Sequence, residues 1–241
     1  MSEYYFPINL PSKCLPYENI KPEDITIRAY QGADEIYLAE INPINIERKY
    51  LEVLKNVVQG IDPMNLTLGD RLYIIVWEYA KSYSEFITVK NIVCTHCLKE
   101  VEVSVDLTQL DVITLPDDYK QPYKVQLPSG NEILLRLLTI KDEIESEKHI
   151  ENENFGHLYR YARSVVDDAD VLSKLERLKK MSAKDVATIR AFHEKFYHGP
   201  DMRTKYTCPE CGEEDILEVP FQLEFLFPHG QTLTSTFGEG I

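Results

Sequence analysis

Two periodicities share this chain. Val101, Val103 and Val105 alternate with Glu100, Glu102 and Ser104, the two-residue period of a strand with one buried face. Phe221, Leu223, Phe225 and Phe227 show the same period further on. Elsewhere the period is helical. Ile46, Tyr50, Leu54, Val57 and Val58 fall on one helix face, with Asn42 as N-cap, Pro43 at the first helical position and Gly60 as the stop. Thr67 with Asp70, and Ser182 with Asp185, resemble capping boxes in which Asp replaces Glu, and they predict helices over 68–82 and 183–197. A further helical stretch is expected over 155–180. Ile25, Ile27 and Arg28 fit a short strand, and residues 123–138 read as a hairpin around Pro128-Ser129-Gly130-Asn131.

These signals occur twice in the same order. Leu10-Pro11-Ser12 returns as Leu127-Pro128-Ser129, and Arg28 followed by Asp34-Glu35-Ile36 returns as Arg136 followed by Asp142-Glu143-Ile144. The capped helix at Asp70 returns at Asp185, and a Cys-x-x-Cys pair follows each. The expected fold is therefore α+β with two pseudo-repeated halves, each running strand or hairpin, helices, strand, zinc knuckle, strand. The halves would be residues 1–110 and 111–227, followed by a C-terminal arm, 228–241. Arg28 and Arg136 should then share one local role, pairing with Asp34 and Asp142.

The knuckles carry the candidate chemistry. Cys94-Thr95-His96-Cys97 and Cys208-Pro209-Glu210-Cys211 each aim two sulfurs at one point, and together they supply a tetrahedral four-thiolate set for one structural Zn2+. Gly212 suits the left-handed position that closes such a turn, whereas the first knuckle has Thr95 in place of Pro and Leu98 in place of Gly. Two disulfides would need an oxidising compartment, and a redox pair would open a helix in a βαβ setting. Iron in a rubredoxin-like site is a further alternative, and His96 could replace one thiolate. Cys14 stands alone as a spare thiol. One knuckle cannot close a site, so the metal would join the two halves.

Charge and composition narrow the function. The 26 basic and 40 acidic residues leave a net charge of −14, which disfavours a nucleic-acid surface, since phosphate binding needs clustered Lys and Arg. The longest strongly apolar run, 72–77, falls far short of a membrane span, and residues 1–5 lack a signal peptide's basic and apolar regions. The expectation is a soluble protein, cytosolic during synthesis. No catalytic constellation emerges. His193 and His198 are five residues apart, about 140° around a helix, which spoils the shared ligation of a zinc protease; both read as helix-surface or terminal residues. Phosphate loops and serine elbows are absent. The run Asp167-Asp168-Ala169-Asp170 reads as a solvated helix start, and Asp34-Glu35 and Asp142-Glu143 as capping and dipole residues. The arm offers apolar anchors at Leu233, Phe237 and Ile241, suited to ordering against a neighbouring subunit.

Leu-Pro-Ser, the Arg28 strand, Asp34-Glu35, the helix capped near Asp70, Cys94-x-x-Cys97 and Val103-Ser104-Val105-Asp106-Leu107 together resemble the baseplate hub proteins of T-even-like myophages, most clearly over 8–150. That family includes a virion hub subunit and a related hub assembly factor. The resemblance implies a non-enzymatic structural or assembly role in a contractile-tail baseplate. The partners would be other baseplate and hub proteins in a larger hetero-oligomer, in the virion or in the host cytoplasm during assembly. A zinc-containing adaptor for a regulatory partner, a non-virion hub chaperone, and an enzyme with scattered metal ligands are the alternatives.

Overall fold

The computed structural model describes residues 4–41, 45–147 and 156–220. Three short strands, β1 (Phe6–Pro7), β2 (Thr26–Ile27) and β3 (Val58–Gln59), form an antiparallel sheet with β2 central. Helices α1 (Gly32–Leu38) and α2 (Ile46–Val57) connect β2 to β3. Of the predicted apolar stripe, Tyr50, Leu54 and Val57 are buried on α2, joined by Leu51 and Val53, while Ile46 is half-buried and Val58 already belongs to β3. The expected cap at Asn42-Pro43 lies outside the described residues. Gly60 is not the helix stop. The helix ends at Val57, β3 follows at once, and Gly60 then turns with φ +88°, where a Cβ would fall 2.0 Å from the Asp24 carbonyl oxygen.

Helix α3 (Leu68–Ser82) has the predicted bounds, and the Thr67 side chain accepts from the Asp70 amide. Strands β4 (Phe86–Val93) and β5 (Glu100–Asp106) make a hairpin with the first knuckle at its tip. The predicted alternation holds, with Val101, Val103 and Val105 buried. The two-residue β6 (Val112–Ile113) follows, and the predicted second hairpin is β7 (Tyr123–Gln126) with β8 (Glu132–Leu135). Four helices come next: α4 (Ile140–Glu147), α5 (Gly156–Ser164), α6 (Val171–Lys179) and α7 (Ala183–Lys195). The stretch expected over 155–180 is thus two helices. The acidic run breaks it, with Asp170 capping α6 through the Ser173 amide and Asp167 pairing with Lys174 and Arg177. Helix α7 ends two residues before Tyr197 because Phe196 leaves helical geometry. The last elements are β9 (Gly199–Pro200), paired with β6, and a hairpin of β10 (Arg203–Thr207) and β11 (Glu214–Glu218). Phe221 to Phe227 and the arm lie outside the described residues. The architecture is mixed α+β, seven helices with small antiparallel sheets among the described residues.

Two apolar cores form. The first gathers β2, α2, α3, β5 and Val89 of β4, but it also takes in Ile140 and Ile144 of α4 and Tyr206, Cys208, Leu217 and Val219. The second lies among β7, β8, α5, α6 and α7. Backbone bonds from Leu68 to the Leu138 carbonyl and from Ile140 to the Leu66 carbonyl tie the two regions. Gly69 of α3 packs on the backbone of His198 so closely that a Cβ would sit 1.8 Å from its carbonyl oxygen.

Arg28 and Arg136 do play one local role. Arg28 forks onto Asp34 at 2.7 and 3.2 Å and donates to the Ala29 carbonyl. Arg136 forks onto Asp142 at 2.6 and 2.9 Å and donates to the Leu137 carbonyl. Each aspartate also accepts a backbone amide three residues before it, from Gln31 and Thr139, which is the capping role expected of them. Likewise the Ser12 amide donates to Asp70 at 2.9 Å and the Ser129 amide to Asp185 at 3.0 Å.

Candidate metal centre

Each hairpin tip is a tight turn that its own backbone closes. The Cys94 amide donates to the Lys99 carbonyl and the Leu98 amide to the Cys94 carbonyl. The Cys208 amide donates to the Glu213 carbonyl and the Gly212 amide to the Cys208 carbonyl. Gly212 takes the left-handed φ of +78° expected of it, and Leu98 takes the equivalent value, +58°, despite its side chain. The same turn therefore forms with and without glycine, at a cost of about 1 kcal/mol where a Cβ is present.

The four thiols meet. Their sulfur atoms all lie within 4.8 Å of one another, and the Cys94–Cys211 and Cys97–Cys208 sulfur pairs are each 3.8 Å apart. A tetrahedron with metal–sulfur bonds near 2.3 Å has edges of about 3.8 Å, whereas a disulfide would need about 2.05 Å. All four are free thiols, and the 3.8 Å approaches run between knuckles. Donor set and dimensions both fit one divalent, thiophilic ion. Cys94 and Cys208 are buried, Cys97 is half-buried and Cys211 is exposed, so the cluster opens to solvent on the Cys211 side.

Electrostatics favour a cation at the centre. The backbone amide of Cys97, with that of His96 and the neighbouring thiols, pulls the Cys94 thiol down to about 6. At Cys211 the Glu213 amide also favours the thiolate, but burial and the other three thiols push the group up to about 12. One thiolate forms readily and repels the next; a bound dication removes that repulsion.

Groups around the cluster hold the knuckles in register. The Thr95 amide and hydroxyl both donate to one oxygen of Asp215 at 2.8 Å, which holds that carboxyl below its usual range. Lys99 pairs with Glu210 across the same seam. The His96 ring lies 3.1 Å from the Glu214 carbonyl and is absent from the thiol cluster. Sequence reasoning missed Asp215 and Glu210, because no local pattern marks a partner more than a hundred residues away.

The other candidates separate. His193 is not a helix-surface residue: it is half-buried, stacks on Tyr161 at 5.6 Å and lies 3.2 Å from the Ser164 hydroxyl, and burial pushes it down to about 4. His198 lies past the end of α7 and is buried, its ring between the Thr67 hydroxyl at 2.6 Å and the Phe196 carbonyl at 2.9 Å. Cys14 is a core residue, and burial raises its thiol to about 11. Glu78, unnoticed in the sequence, is fully buried on α3 with one carboxylate oxygen lacking a partner among the described residues.

Residues 5–227 match the family model described as T4 bacteriophage base plate protein. No curated protein and no solved structure matches.

Proposed function

The chain belongs to the T4 bacteriophage base plate protein family, and from that premise we propose that it is a structural or assembly component of the contractile-tail baseplate hub. The match over residues 5–227 carries this reading. The partners are other baseplate and hub proteins in a hetero-oligomeric assembly. No helix among the described residues is long and apolar enough to cross a membrane. The role is mechanical, with no catalysis.

One Zn2+ per chain would be held by Cys94, Cys97, Cys208 and Cys211, and it would supply a cross-link, its binding energy appearing as folding stability. The halves 1–110 and 111–227 are read as a duplication. The support is the recurrence of three devices, the Arg–Asp fork, the serine amide bound by a helix-start aspartate, and the closed knuckle turn. The arm, 228–241, is read as a contact to a neighbouring subunit.

The test is quantitative mass spectrometry of purified particles and of infected-cell lysate. Presence in particles identifies a virion subunit. Presence only in lysate, bound to hub proteins, identifies an assembly factor. Absence from both kinds of complex overturns the reading. Deleting 229–241 should leave zinc content intact and abolish incorporation.

A further inference from the structure

Helices α3 and α7 start with the same two groups, but only at α3 does one hydroxyl join them. There the Tyr17 hydroxyl donates to Asp70 Oδ2 and accepts the Thr67 amide at 3.0 Å. Asp70 Oδ1 takes the Ser12 amide at 2.9 Å. At α7 the N-cap is Ser182 and the aspartate three residues on is Asp185. Asp185 Oδ1 takes the Ser129 amide at 3.0 Å, just as Asp70 takes that of Ser12. Among the described residues, however, no donor closes on Asp185 Oδ2 and no acceptor closes on the Ser182 amide. The connecting loops explain the difference. After the first Leu-Pro-Ser the chain turns through Cys14 and returns a phenol at Tyr17. After the second it turns at once through Gly130 into β8 and returns none.

Where the phenol would lie, α7 borders an open cavity of about 780 Å³ with Ser182 and Asp185 on its wall. Its apolar lining includes Ile133, Leu134, Val165 and Met181, and Lys180 stands exposed at the rim. Asp185 is only 3% exposed. The Ser129 amide, helped by the Ser182 and Ser129 side chains, holds its carboxyl below the usual range against the cost of desolvation. The cavity thus presents an ionised, nearly buried acceptor beside a free backbone donor. We propose that it is the docking site for a tyrosine side chain of a partner protein, whose hydroxyl donates to Asp185 Oδ2 and accepts the Ser182 amide as Tyr17 does at α3.

The chemistry selects this occupant. One atom must donate to a carboxylate and accept from an amide, which a hydroxyl does and neither an ammonium nor a carboxylate can. Water would meet both polar groups but leave the apolar walls wet, whereas a phenol ring covers them. Lys180 at the rim suits the face of such a ring. All 15 tyrosines of this chain lie among the described residues except where they line other sites, and the cavity lining contains none of them. The phenol therefore comes from another chain. The site stands independently of the metal; only the partner's being a baseplate protein rests on the hub reading.

Amide NMR of the full-length chain, titrated with p-cresol as the tyrosine side chain alone, tests the pocket. The Ser182 amide should shift and saturate, and toluene, which lacks the hydroxyl, should bind about tenfold or more weakly. Asp185→Asn should weaken p-cresol by about tenfold and leave toluene unchanged. No shift at Ser182, equal binding of p-cresol and toluene, or undiminished binding to Asp185→Asn each overturns the proposal. Should that variant unfold the second core, Leu134→Trp replaces it. The indole fills the cavity from its exposed edge and must abolish the Ser182 shift; a shift that survives overturns the proposal. The titration needs only the isolated chain, so its failure is distinct from failure of the hub reading. The partner is tested by photo-crosslinking from Glu132→p-benzoylphenylalanine, at the rim, in particles and in hub complexes from lysate. The captured peptide should come from another protein and carry a tyrosine whose change to phenylalanine weakens its binding to this chain about tenfold. A peptide without tyrosine, one from a second copy of this chain, or no cross-link overturns a partner tyrosine as the occupant.

Discussion

Arg28 and Asp34 are both almost wholly out of solvent, with side chains 7% and 1% exposed. Removing the cation would strand a buried carboxylate, so Arg28→Ala should cost about 3–5 kcal/mol by chemical denaturation. Arg136→Ala should cost clearly less. Its side chain is 30% exposed, and Arg163 still reaches Asp142 at 2.8 Å. Equal losses would refute this difference. Glu78 gives a pH signature. Burial raises it from 4.5 to about 9, with Arg28 pulling it back and Asp34 adding to the rise. Its protonated form is the one the fold favours, so the associated stability is complete below pH 4.5 and is lost as pH rises toward 9. Relative to Glu78→Gln, the natural chain should weaken steadily over that window; a constant difference in denaturation midpoint would show that Glu78 is ionised in the fold. Leu98, exposed and at positive φ, predicts the opposite sign for a substitution: Leu98→Gly should be neutral or stabilise by up to about 1 kcal/mol in a melting experiment.

Helices α3 and α7 start in the same way. A hydroxyl at the N-cap holds the amide of an aspartate three residues on, and that aspartate holds a Leu-Pro-Ser turn from an earlier part of the chain. The cap is local and visible in the sequence; the reach to Ser12 or Ser129 is not. Where α3 meets β9, the approach is set by Gly69. Gly69→Ala must push apart the helix and the His198 backbone, and overpacking of this kind predicts a loss of about 1–3 kcal/mol or more. Gly130→Ala, with open space around it and φ +88°, should cost only the strain of its backbone, about 1 kcal/mol. Denaturation of the two variants side by side checks the ranking.

Across the whole molecule, the thiol cluster and the Gly69–His198 contact are two separate fastenings. Chelation should release the first alone. Exchange should rise over 90–100 and 205–218 before it rises in α3 or α7, because only the hairpin tips converge on the cysteines. Uniform loss of protection would mean that the cluster holds the entire fold. Whatever depends on near neighbours was legible along the chain: the α3 bounds and its cap, the β5 alternation, the β7–β8 hairpin, the left-handed turn at Gly212, and the Arg–Asp forks six residues apart. The two cysteine pairs were legible as well, since Cys-x-x-Cys spacing aims two sulfurs at one point, but their convergence within 4.8 Å is seen only in the folded chain. The rest follows from packing. It sends Tyr206 and Leu217 into the first core, half-buries His193, buries His198, places Asp215 against Thr95, and buries Glu78 completely. Burial and long-range pairing depend on which surfaces meet. That depends on the packing of every element at once, and no window of neighbouring residues records it.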